Sequence, residues 1–438
     1  MDKRKNKMNV FQLTVITAIN MMGSGIIMLP AKLAMVGTMS IISWLVTVLG
    51  SMALAYSFAQ CGMYSNKTGG MGGYAEYSFG KSGSFLSNYT YAVALVIANI
   101  AIAITAVGYG SSFLGITLNP VQVGIWTVFT LWLATVLNFK GARVTGRIGS
   151  FTVWGVIAPI LVLCVAGWFW FSKDLYIESW NPNNLAFFEG VSQSISITLW
   201  CFLGLESASA NMDAVENPKK NVPIACLGGT VAAAIIYILA TNIIAGIVAN
   251  ADLLNSNAPF GLVFSTIFSP AMGRLVMGLM VISCFGSLLG WQFTIAEVFR
   301  SSALEGYFPK IFSKITKDNA PVVGMIIITI VQSLLALMTI SPTLSKQFDL
   351  LVNLSVVTNI VPYLLSMAAV DAILREGKVP DKKRKITNLI AFIASIFSLY
   401  ALYSAGYEAI MGGALFTFAG WTLYGFISSK FDLSRKLY

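Results

Sequence analysis

The chain has 438 residues, of which 56% are hydrophobic and only 11% charged, with a formal net charge of +10. Soluble domains carry roughly 25% charged residues, so this composition, with a mean hydropathy of +0.76, specifies a protein that crosses a membrane many times. The absence of histidine removes imidazole metal sites, Ser–His–Asp triads and imidazole proton relays at once; no cofactor and no metal site is expected.

From the N-terminus, the basic stretch Met1 to Asn9 runs into an apolar segment that continues as a full span, so no cleaved signal peptide is expected. Apolar windows of about 18–25 residues mark membrane helices. They fall at residues 10–36, 39–62, 84–111, 121–138, 148–172, 189–212, 223–249, 272–299, 321–341, 347–373, 386–404 and 409–428. The expected fold is therefore an all-α membrane protein of twelve transmembrane helices, with both termini on one side.

The first span is interrupted by Gly23-Ser24-Gly25, with Pro30 downstream. Two glycines around a serine weaken a helix and let a ligand approach the backbone; the alternative is a notch of small residues for helix packing. The loop 65–74 is glycine-rich but lacks the GK[ST] ending of a phosphate loop, and reads as a hinge before a short helix that holds Glu76. The sixth span carries Gly204 and the acid Glu206, then the small residues Ser207, Ala208, Ser209 and Ala210. A carboxylate near the bilayer centre costs roughly 2.5–3.5 kcal/mol, so it faces a cavity or a partner. The alternative is a helix-packing acid paired to Lys or Arg.

Interruptions five spans apart are the signature of an inverted-repeat transporter with its site at the membrane midplane. One transporter domain is expected, with a first five-helix repeat over about 10–172, a second over about 189–373, and helices 11 and 12 over about 386–428. Between spans 8 and 9, residues 301–320 read as a short amphipathic helix at the interface. The basic loop 375–385 reads as a contact for anionic lipid headgroups.

Lys and Arg set the orientation. Of the 28 such residues, all but Lys32, Lys173, Arg274 and Lys346 fall on the side of the N-terminus, which places both termini in the cytoplasm. That asymmetry accounts for the basic charge without a nucleic-acid partner. The five cysteines, Cys61, Cys164, Cys201, Cys226 and Cys284, have no CxxC spacing and read as small buried residues. Trp44, Trp126, Trp168 and Trp170 read as interfacial anchors. Trp200 and Trp291 lie deeper in their spans, where an aromatic face near Glu206 would suit an organic cation.

The runs NMMGSGIIMLP, GGMGGYAEY, LWCFLGLESASAN, VENPKKNVPIA, CFGSLLGWQFTIAEVF and LVNLSVVTNIVPY resemble, along the whole chain, the basic amino acid/polyamine antiporters of the amino acid–polyamine–organocation superfamily. They are most similar to its bacterial putrescine–ornithine group. The resemblance implies a LeuT-type fold of 5+5 inverted repeats with helices 1 and 6 broken. It also implies exchange of cytoplasmic putrescine for external ornithine across the inner membrane. Arginine–agmatine relatives imply that Met21, Ser24 and Gly25 hold the amino-acid backbone of the substrate, and that Trp200 and Leu203 contact its aliphatic stem; Gly23 and Gly204, at the two breaks, are counted with the same site. They likewise imply contacts at Ala94, Leu95, Asn99, Ile102, Trp291 and Ser355. These relatives are dimers, so the resemblance points to a homodimer.

The putrescine–ornithine group further implies substrate or transport roles for Cys61, Glu76, Tyr91, Glu206, Cys284, Tyr424 and Asp432. The chain departs from that group at Ser209 and Phe285, where cysteine is expected, and at Asp432, where glutamate is. A proton on an empty Glu206 would also allow proton-coupled putrescine uptake. Lysine–cadaverine or arginine–agmatine exchange and proton-coupled import of a basic amino acid stay open, since the substrates differ by a methylene or a head group. An intramembrane enzyme would want His, paired Asp or a Ser–Lys dyad, and a channel a continuous polar lining; neither pattern is present.

Overall fold

The computed structural model describes residues 9–22, 24–67, 69–206 and 216–432, apart from a few side chains. Nearly all of them are helical, with no strand among the described residues. The first apolar window is α1 (Val10–Met21), a 3₁₀ turn (Ser24–Ile26) and the half-helix α2 (Leu29–Leu33). A capping box between Asn9 and Gln12 starts α1, and Pro30 sits in the first turn of α2, where its missing N–H costs nothing. Then come α3 (Ser40–Tyr64), α4 (Met71–Leu114), α5 (Pro120–Asn138), α6 (Ala142–Thr152), α7 (Trp154–Ala166) and the short α8 (Lys173–Glu178). The expected short helix before span 3 is the first part of α4, set off by a kink at Gly80.

The second interruption follows α9 (Phe187–Trp200), whose turns loosen over residues 201–206. The chain continues as α10 (Pro218–Ala245), α11 (Asn250–Leu254), α12 (Pro259–Ile267), α13 (Pro270–Leu304), α14 (Val322–Met338), α15 (Leu344–Glu376), α16 (Asp381–Ser404), α17 (Tyr407–Ile427) and α18 (Ser429–Asp432). Proline opens α5, α10, α12 and α13. Among the described residues, nine helices are long and apolar enough to cross a membrane, and α14 is a shorter apolar one. The two apolar windows left over, 10–36 and 189–212, are the interrupted ones. The molecule is an all-α, multi-pass membrane protein.

Two expectations are corrected. No amphipathic helix spans 301–320: α13 runs on to Leu304, a turn with Gly306 at φ 87° follows, and only the 3₁₀ turn Lys310–Ser313 is helical. Trp44 is no interfacial anchor. It is fully buried, donates to Thr241 Oγ1 at 3.1 Å and stacks on Tyr237 with centroids 5.7 Å apart. The rings of Trp126, Trp168 and Trp170 are exposed.

The core is built on α4 and α15, which pack along one another, with α13 laid against α4; α1 lies against α10. Breaking a helix frees carbonyls that lipid cannot satisfy. Two buried tyrosines supply partners: Tyr109 donates to Ile27 O at 2.9 Å, and Tyr237 to Cys201 O at 3.0 Å. The Tyr109 hydroxyl also accepts from Phe260 N at 3.2 Å, which ties the first turn of α12 to the first break. These tyrosines let the chain leave helical geometry at two places without stranding its polar groups.

Candidate functional site

The two interruptions face each other. A Cβ on Gly25 would lie 3.3 Å from Cys201 Cα, so glycine is what lets the first break approach the second. Gly204, at φ 104°, turns the second break through a region that side chains disfavour. Beside this meeting point lies a cavity of about 50 Å³, room for a few water molecules where one needs roughly 10–15 Å³.

The cavity is lined by Met21 and Gly25 from the first break, and by Trp200, Leu203, Gly204 and Glu206 from the second. Helix α4 contributes Tyr91, Ala94, Leu95, Ala98, Asn99 and Ile102, while α13 contributes Trp291 and α15 contributes Ser355 and Asn359. Met21, Gly25, Tyr91, Ala94, Leu95, Asn99, Ile102, Trp200, Leu203, Gly204, Glu206, Trp291 and Ser355 were all singled out from sequence. Gly23 lies outside the described residues, as do the side chain of Ser24 and the stretch holding Ser207 to Ala210.

Glu206 is 7% exposed. Its Oε1 accepts from the Tyr91 hydroxyl at 3.3 Å, and its Oε2 from the Tyr363 hydroxyl at 2.8 Å and from Gly204 N at 3.1 Å. The acid therefore both lines the cavity and fastens the break of its own helix. Asn359 Oδ1 is a buried acceptor without a hydrogen-bond partner. Asn99 Oδ1 is another. The lining thus combines a carboxylate, two tryptophans and two asparagines whose buried amide oxygens lack partners, groups suited to ammonium ions. The Ser355 hydroxyl is already committed to Ala94 O at 3.0 Å.

Asn359 and Ala98 were not foreseen. Asn359 lies four residues after Ser355, hence on the same helix face, and that spacing could have revealed it. Lys32 was counted among outer-surface charges, but its side chain is buried. It donates to Asp349 Oδ2 at 2.9 Å, to Ser345 O at 2.7 Å and to the Ser345 hydroxyl. Its ammonium lies 5.4 Å from the centroid of Phe348, whose ring meets Trp200 edge-on, also at 5.4 Å. A half-buried ion pair thus stands behind the cavity's tryptophan.

Of the residues for which the resemblance implies substrate or transport roles, Tyr91 and Glu206 line the cavity, whereas Cys61, Glu76, Cys284 and Tyr424 do not. Cys61 and Cys284 are buried thiols in α3 and α13, and all five cysteines are free. Glu76 accepts from Lys67 and Lys81, both at 3.0 Å, beside the Gly80 kink. Tyr424 stacks among Phe85 at 5.4 Å and Phe431 at 6.5 Å. The side chain of Asp432 lies outside those described.

Comparison with known proteins gives one consistent result. Residues 8–427 match the family described as amino acid permease. The chain is 64% identical over 435 residues to the putrescine transporter PotE of Haemophilus influenzae, covering 99% of this chain and 100% of the relative. It is also 64% identical over 433 residues to PotE of Escherichia coli, covering 99% of each. The cadaverine/lysine antiporter of Escherichia coli is 31% identical over 437 residues, covering 99% of this chain and 95% of the relative.

Proposed function

The chain belongs to the amino acid permease family, and from that premise we propose that it is a secondary active transporter that exchanges cytoplasmic putrescine for external ornithine. The observation that carries the reading is the cavity itself: an acid, Glu206, shares one lining with Asn99, Asn359, Trp200 and Trp291 where two interrupted helices meet, and the amide oxygens of both asparagines lack hydrogen-bond partners. Identity of 64% to putrescine transporters, against 31% to a cadaverine/lysine antiporter, favours the four-carbon diamine. Ornithine is putrescine with one added carboxylate, so the two share a distal ammonium and a stem. A cavity can hold both if the ammonium meets Glu206 and the variable end meets the first break, where backbone N–H groups serve a carboxylate.

In the same reading the two breaks belong to two five-helix repeats, over about 10–172 and 189–373, moving against each other around the site, with α16 and α17 outside them. The protein sits in a bacterial inner membrane as a homodimer with both termini cytoplasmic, the basic residues of 375–385 against anionic headgroups. A proton on Glu206 in place of the cation supports putrescine uptake as a second mode. Cys61, Glu76, Cys284, Tyr424 and Asp432 act on the transport cycle away from the cavity.

The test is competition in proteoliposomes loaded with labelled putrescine. External ornithine should drive efflux best, with lysine and arginine each at least tenfold less effective. Preference for lysine or arginine would replace the proposed pair with one of its homologues.

Trp200 supplies a second test. Cation–π attraction is worth roughly 0.5–2 kcal/mol, so Trp200→Leu should weaken putrescine binding up to about thirtyfold, while Trp200→Phe and Trp200→Tyr stay within a few-fold of wild type. Equal losses in Leu and Phe would make Trp200 a steric wall.

A further inference from the structure

Behind the cavity, four helices share a fully buried polar cluster made of Asn99 (α4), Thr135 (α5), Gln292 (α13), and Thr329 and Gln332 (α14). Its hydrogen bonds run in one direction. Gln332 Nε2 donates to Val96 O at 3.4 Å, so its oxygen faces the other way and accepts from Gln292 Nε2 at 2.9 Å. The same nitrogen lies 3.0 Å from Thr135 Oγ1 and 2.8 Å from Thr329 Oγ1. Each hydroxyl also lies at the carbonyl one turn earlier on its helix, Leu131 O and Met325 O. Gln292 therefore presents its oxygen to Asn99, whose Nδ2 donates to it at 2.5 Å. What remains at the end of the chain is Asn99 Oδ1, buried and without a hydrogen-bond partner, on a residue that lines the cavity.

An amide has one donor side and one acceptor side. Turning Asn99 over would set its oxygen against the oxygen of Gln292, and turning Gln292 over would set its oxygen against that of Gln332. The relay starts from a main-chain carbonyl, which cannot turn over, so every amide after it is fixed. A buried carbonyl kept empty by its neighbours is costly until a donor reaches it.

We propose that Gln292 and Gln332 are positioning residues that hold the Asn99 carbonyl oxygen ready to accept from a substrate ammonium in the cavity. They never touch the substrate; they determine which face of the Asn99 amide it meets. A site organised this way favours alkylammonium ions over ligands that present an acceptor at the same place. The proposal rests on the diamine reading of the cavity.

The experiment is a double-mutant cycle read by equilibrium binding of labelled putrescine to purified full-length protein. Asn99→Ala and Gln292→Met should each weaken binding about tenfold. If Gln292 acts through Asn99, the double variant should stay within about threefold of Asn99→Ala alone. Gln332→Met, one step further back, should weaken binding about threefold, and no further once Asn99 is Ala; this pair carries the cycle if Gln292→Met does not yield folded protein. Losses that multiply to about a hundredfold, or wild-type affinity in Gln292→Met, would overturn the proposal. Wild-type protein that binds cadaverine or lysine but not putrescine would displace the substrate assignment, and the same cycle read with that amine would still decide the relay. Wild-type protein that binds no amine would overturn both.

Discussion

Glu206→Gln is expected to lower exchange of both putrescine and ornithine by roughly thirtyfold or more, the scale of losing one partner of a desolvated charge pair, about 2–5 kcal/mol. Expression and folding should survive, because the bonds that fasten the break can be kept. With its amide oxygen in the place of Oε2, glutamine still accepts from Tyr363 and Gly204 N, and its new N–H groups can donate to the Tyr91 hydroxyl. The charge is lost and the shape retained. Exchange assayed in proteoliposomes at matched protein content checks this, and near-normal rates would remove the carboxylate from substrate recognition.

The second large effect is electrical. If divalent putrescine leaves as monovalent ornithine enters, each cycle moves one positive charge outward. An inside-negative potential opposes that movement by about 2.3 kcal/mol per 100 mV, which shifts the equilibrium distribution of the two substrates about fiftyfold. Liposomes loaded with putrescine and held inside-negative by a potassium gradient with valinomycin should therefore retain more diamine than liposomes at zero potential. A distribution indifferent to potential would rule out this pair of charge states. Concentration gradients, not the membrane potential, then drive the outward step.

How much of this was legible in the sequence depended on whether a residue stood out from its own neighbours. Glu206 is an acid in an apolar run, and Gly204 and Gly25 are helix breakers in spans that need helix; each is conspicuous within a window of a few residues. The cavity's aromatic and α4 contacts came from the resemblance, since an alanine such as Ala94 or an apolar Leu95 carries no local signal. Trp44 was misread because a tryptophan in a span looks the same at an interface or in a core. Its partners, Tyr237 and Thr241, are supplied by a helix almost two hundred residues later. The short α12 escaped because Pro259–Ile267, at 9 residues, is shorter than any window that registers a span.

Other features have no signal in a single chain. Lys32 and Asp349 come from opposite ends of the sequence, and a lone lysine near a predicted span end reads as a surface charge. Gln292, Gln332, Thr135 and Thr329 are ordinary polar residues on four-residue-turn faces; only the packing of α5, α13 and α14 around α4 turns them into one network. The failure at 301–320 was of another kind. The segment is amphipathic, but Gly306 and Pro309 stop the helix before it can form.

The measurement that bears most directly on the cavity as the substrate site is equilibrium binding of labelled putrescine to purified wild type and Glu206→Gln. Binding reports the contact itself, without the conformational cycle that transport adds. A loss of affinity of roughly thirtyfold or more in the variant, with unchanged folding, is what a carboxylate meeting an ammonium predicts. Unchanged affinity together with lost exchange would contradict it, and would make Glu206 a fastening of the broken helix that the substrate never touches.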